Sequence, residues 1–129
     1  MKKKILAVFI SGLWISFSEF FRNEILFKNY WLDKYASLGM EFPSEIINNF
    51  MWGVWSFLFA GCIIFLLRKL KFHEVFMISW VMVFVLMWIT IGNLNVLPCK
   101  LLFFAIPLSM IETGGAVYIG KIILKKESE

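Results

Sequence analysis

Four apolar runs, each of roughly twenty residues, dominate the chain, and each is long enough to cross the hydrocarbon core of a bilayer. Runs such as FLFAGCIIFLL (57–67) and VMVFVLMWI (81–89) show no alternation of apolar and polar residues. Backbone N–H and C=O groups in lipid need internal partners, which leaves helices and closed barrels. A barrel requires alternating strands. The expected fold is therefore an all-α integral membrane protein: a four-transmembrane-helix bundle forming one membrane domain over 1–129. Composition agrees. Hydrophobic residues make up 60% of the chain and charged residues 17%. Soluble domains hold about 45–50% and about 25% respectively, so a soluble fold would have too little polar surface to cover its core.

The expected spans run from about Ile5 to Phe27, Ile46 to Leu67, Val75 to Ile91 and Leu101 to Leu124. Lys2, Lys3 and Lys4 precede the first, Arg68, Lys69 and Lys71 lie between the second and third, and Lys125 and Lys126 follow the fourth. The other side holds only Lys28, Lys34 and Lys100. Basic residues concentrate on the cytoplasmic side of membrane proteins, so both termini are expected in the cytoplasm. The loop 28–45 then faces outward. Its Tyr30, Trp31, Tyr35 and Phe42 suit the membrane interface, where amphipathic rings are favoured. Ser44 is the expected N-cap of the second span. The start, MKKKILAVFISGLW, has the basic head and apolar stretch of a secretory signal. No small-x-small cleavage site follows, so an uncleaved helix is expected. Small size and uncleaved helices suggest a bacterial cytoplasmic (inner) membrane.

The net charge of +4 does not imply nucleic acid as a partner, because the basic residues sit at the ends of apolar runs. The partner they imply is the lipid bilayer. His73 is the one histidine, and Cys62 and Cys99 lack metal-ligand spacing. No metal and no cofactor are expected. The two cysteines fall at different depths, which disfavours a disulfide. Cys62 is expected as a small core residue, and His73 with Glu74 as a solvated loop pair.

Against this apolar background the stretch WISFSEFFRNEILF (14–27) is anomalous. Stepping its residues by about 100° puts Ser11, Gly12, Ser16, Ser18, Glu19, Arg22 and Asn23 on one half of the helix. Leu13, Trp14, Phe17, Phe20 and Phe21 fall on the other half, expected to face lipid. Arg22 and Asn23 lie three and four residues beyond Glu19, spacings that allow contact. In the fourth span Ser109 and Thr113 flank Glu112. Asn93 closes the third span, and Asn48, Asn49 and Asn95 also mark helix ends. An ionisable group at the bilayer centre costs about 2.5–3.5 kcal/mol on insertion scales. Arg22 is therefore expected to pair with Glu19, Glu112 or both. Most of these polar residues fall in the outer half, which suggests a cleft open to the non-cytoplasmic side. The candidate site is Ser16, Glu19, Arg22, Asn23, Asn93, Ser109, Glu112 and Thr113.

Helix four also carries small residues at Ser109, Thr113, Ala116 and Gly120, a stripe suited to close packing in the bundle or to a homo-oligomer. The leading functional expectation is a binding protein for a small polar or amphipathic, lipid-like ligand or a proton. Arg22 would supply the forked donor in such a site. A membrane enzyme using Glu19 and Glu112 as acid and base is an alternative. So is an oligomeric channel or transporter, although the apolar inner half argues against a path through one protomer. An accessory structural subunit would leave the buried acids unexplained.

Overall fold

The computed structural model describes residues 1–125, and Lys126 lies outside them. Among the described residues the regular structure is helical. Four helical stretches are long and apolar enough to cross a membrane: Lys2–Leu26, Ile46–Leu67, Phe72–Asn93 and Cys99–Lys125.

The first stretch is α1 (Lys2–Phe20), which widens into a π-helical segment, Phe21–Leu26. The chain breaks at Phe27 and continues as α2 (Lys28–Ser37), so the expected outward loop contains a helix. A backbone bond from Met40 N–H to the Tyr35 carbonyl (2.9 Å) ends α2. It closes over Gly39, whose φ of 71° is the left-handed conformation that such helix stops require. The second stretch is α3 (Ile46–Leu67). Its N-cap is Glu45 rather than Ser44, because Glu45 N–H donates to the Asn48 side chain at 3.0 Å. The third combines α4 (Phe72–Trp80), a π-helical segment (Val81–Val85) and α5 (Leu86–Asn93). It starts three residues before the expected Val75 because Lys71 N–H donates to Glu74 Oε2 at 2.8 Å. Glu74 is thus a helix cap, not a solvated partner of His73. Asn95, at φ 63°, closes the far end of α5, with Val96 N–H donating to the Ile91 carbonyl at 3.1 Å. A 3-10 turn at Cys99–Leu101 leads into α6 (Leu102–Lys125). Pro107 inside α6 leaves the Phe103 carbonyl without its helical donor.

The helix α1 packs against α3 and α6, and α4 packs against α6. Ile15, Phe59, Ala60, Ile63, Val75, Phe84, Ala116 and Val117 form the central core. The stripe Ser109, Thr113, Ala116 and Gly120 is buried inside this bundle. A Cβ on Gly120 would stand 2.5 Å from Ile64 Cδ1 of α3. The stripe is packed against its own chain's helices. Phe9, Phe17, Phe20, Phe50, Phe65 and Phe103 make an exposed apolar exterior. Cys62 belongs to that exterior and not to the core. A second, smaller core of Phe27, Leu97, Leu101 and Ala105, backed by Tyr30 and Trp31, closes the end remote from Lys2–Lys4.

Candidate functional site

Buried polar side chains gather where the π-helical end of α1 meets α6 and the π-helical segment before α5. Glu19, Arg22 and Glu112 are 5, 7 and 1% exposed. An Arg22 terminal nitrogen, Nη2, donates to Glu19 Oε1, and the other, Nη1, stands 3.6 Å from Glu112 Oε2. One guanidinium therefore bridges two carboxyls on different helices through the two arms of its planar fork. Its carbon also lies 5.0 Å from the centroid of the buried Phe84 ring, within cation–π range. Both partners in that contact sit on π-helical segments, a widening common at functional sites.

The two acids are held differently. Glu19 accepts from Arg22 at Oε1 and from the Asn23 amide at Oε2 (2.9 Å). Asn23 in turn accepts from Trp31 Nε1 through Oδ1, at 3.2 Å. This ties α2 to the cluster. Glu112 has the opposite environment. Neither of its carboxyl oxygens accepts a hydrogen bond, although its backbone carbonyl accepts from Trp14 Nε1 at 2.9 Å. Trp14 is thus half-buried and turned inward, against the expectation that it faces lipid. It fits because Gly115 has no side chain: a Cβ there would stand 2.6 Å from Trp14 Nε1. The hydroxyls of Ser16 and Thr113 are also buried without a partner, as is that of Ser79 on α4. Buried polar groups are nearly always hydrogen-bonded, and the Glu112 carboxyl with these hydroxyls departs from that rule.

Of the expected site residues, Glu19, Arg22, Asn23 and Glu112 are brought together, and Thr113 follows Glu112 on the same buried helix face. Ser16 lies one turn before Glu19 on α1 and is half-buried. Ser109 is buried, but its hydroxyl accepts from Trp80 Nε1 at 2.9 Å and donates to the Ile106 carbonyl at 2.8 Å. Its single donor hydrogen is thereby spent. Asn93 is exposed at the end of α5. Glu24 turns outward and pairs with Lys28 at 3.2 Å. Phe84, Trp14, Trp80 and Trp31 complete the site and carried no polar signal. Among the described residues no group of three His, Cys, Asp or Glu could hold a metal ion.

The cluster is covered rather than open. Asn23, Phe84 and Glu112 lie one to two turns inward of Phe27, Trp88 and Ala105, which belong to or pack on the smaller core. The expected loop residues form α2 there and, through Trp31, roof the polar cluster. Two surface grooves are lined by Phe50, Gly53, Val54, Phe57 and Leu58, and by Lys4, Ile5, Val8, Phe9 and Phe57. Both are apolar exterior features that share Phe57, and neither includes a residue of the cluster. Comparison of the chain with family models, curated proteins and solved structures finds no match.

Proposed function

We propose that this chain is a four-span protein of a bacterial cytoplasmic membrane with both termini in the cytoplasm. In this reading the Glu19–Arg22–Glu112 cluster is a binding site for a small polar or amphipathic ligand, or a proton, reached from the non-cytoplasmic side. The observation that carries it is Glu112: a fully buried carboxyl whose two oxygens accept no hydrogen bond, beside an arginine that spends its closest contact on Glu19. A group kept only to lock helix register would be expected to be fully bonded, because a half-satisfied buried network is worse for stability than an apolar core. Access would come through α2. None of its residues is buried, and one Trp31–Asn23 bond links it to the cluster. Its release would open the site toward the side opposite Lys2–Lys4, Arg68 and Lys69, the side assigned as outer by the basic loops.

The test is native mass spectrometry of the wild type and the Glu112→Gln variant released from the same membranes. A small polar or lipid-like adduct on the wild type that is lost from Glu112→Gln is the expected result. Identical spectra for the two proteins, with or without adducts, would rule out an organic ligand at this cluster.

A further inference from the structure

The cluster holds two carboxyls and one guanidinium. If all three are ionised, it carries one uncompensated negative charge in a site less than a tenth exposed. Among the described residues Glu19, Arg22 and Glu112 are the only buried charged side chains. The helix α3 has no ionisable residue except Cys62, which is exposed on the exterior. On the third stretch His73 and Glu74 lie in the first turn of α4, at the opposite end from Phe84, and 75–93 is free of ionisable residues. On α6 the basic residues are Lys121 and Lys125, more than two turns beyond Glu112. The charged groups beside Glu112 are Arg22, 3.6 Å away, and Glu19, which pairs with the same guanidinium.

Glu112 and Glu19 share one guanidinium: Arg22 Nη2 donates to Glu19 Oε1 and Nη1 stands 3.6 Å from Glu112 Oε2, while among the described residues neither Glu112 oxygen accepts a hydrogen bond. Two carboxylates have four acceptor atoms and no hydrogen to share, so at this range they repel. One proton removes the conflict: the acid donates to the carboxylate, and the charge of the cluster becomes zero. Arg22 and Asn23 already donate to both oxygens of Glu19, which makes Glu19 the acceptor of the pair. Glu112 is left as the carrier.

We propose that Glu19 and Glu112 form a proton-binding pair that holds a single exchangeable proton, with Glu112 as the acid and Glu19 as the acceptor. This deepens the binding-site reading and rests on it. The proton comes from water on the side that opens at α2, and it leaves by the same route when the pair is exposed. No bond other than O–H forms or breaks.

The test is infrared spectroscopy of the full chain in lipid nanodiscs, with glutamate labelled by carbon-13 at the side-chain carboxyl, at neutral pH. Glu24, Glu41, Glu45 and Glu74 reach solvent, whereas Glu19 and Glu112 are buried. The expected result is a labelled carboxylic-acid C=O band that shifts in deuterated water. It should vanish in Glu112→Gln and equally in Glu19→Gln, because either change leaves Arg22 with one carboxylate and a balanced charge. Only carboxylate bands in the wild type would overturn the proposal, whether or not the variants fold. Survival of the band in folded Glu112→Gln would overturn it too. The readout does not depend on an organic ligand, so an absent adduct and an absent proton are separate results.

Discussion

Gly115 is the residue whose replacement most directly probes how Glu112 is positioned. A Cβ at 115 would meet Trp14 at Nε1, Cε2 and Cζ2, at 2.6, 2.7 and 2.9 Å. Non-bonded heavy atoms prefer about 3.5–4.0 Å, so in Gly115→Ala the indole must retreat by about 1 Å. That retreat breaks the bond from Trp14 Nε1 to the Glu112 carbonyl, worth about 0.5–1.5 kcal/mol. Overpacking adds about 1–3 kcal/mol, and the better helix propensity of alanine returns about 1 kcal/mol. The net expected loss is about 0.5–3.5 kcal/mol. The assay is reversible unfolding in mixed micelles, run as a double-mutant cycle with Trp14→Ala. In the Trp14→Ala background the added methyl meets no ring, and Gly115→Ala should be neutral or stabilising by up to about 1 kcal/mol. An equal loss in both backgrounds would refute the reasoning, because the methyl would then be clashing with something other than the indole.

Three further outcomes follow from the same geometry. Arg22→Gln leaves the buried Glu19 carboxylate uncompensated and should cost about 3–5 kcal/mol in the same unfolding assay, with Arg22→Lys recovering only part because an ammonium lacks the planar fork of the guanidinium. Lys28→Ala removes an ion pair whose side chains are 47 and 33% exposed, and it should cost under about 1 kcal/mol, less at high salt. In a Cys62→Ala background, a membrane-impermeant maleimide added to intact cells should label Cys99, which is exposed beside Pro98; labelling only after the cells are opened would reverse the proposed topology.

The length of the apolar runs and the angular spread of polar residues on the first of them were enough to anticipate the helical stretches and the meeting of Glu19, Arg22 and Glu112. Those signals depend on period and charge, which the sequence displays directly. Trp14 was misplaced because a wheel assigns a large ring near the polar boundary to lipid. What admits it is the missing side chain of Gly115 on α6; the partner of a ring is a tertiary fact, and the wheel contains none. Phe84 was invisible for a related reason. It is one apolar residue in an apolar run, and only the approach of Arg22 makes its ring a cation platform. The closed roof was missed because scattered charges in 28–45 read as a loop, although Lys28–Ser37 forms a helix. Cys62 was placed inside by its apolar neighbours, since a continuous apolar run does not show which face turns outward.

The central claim is that Glu112 is kept for what it binds and not for the fold. The measurement that tests it most directly is the unfolding free energy of Glu112→Gln against the wild type. The substitution keeps the shape, leaves the Arg22–Glu19 pair in place, and removes an acid whose oxygens accept no hydrogen bond. The account predicts a stability within about 0.5 kcal/mol of the wild type, or higher. A loss of about 3–5 kcal/mol, the cost of breaking a buried ion pair, would make Glu112 a structural partner of Arg22 and contradict the account.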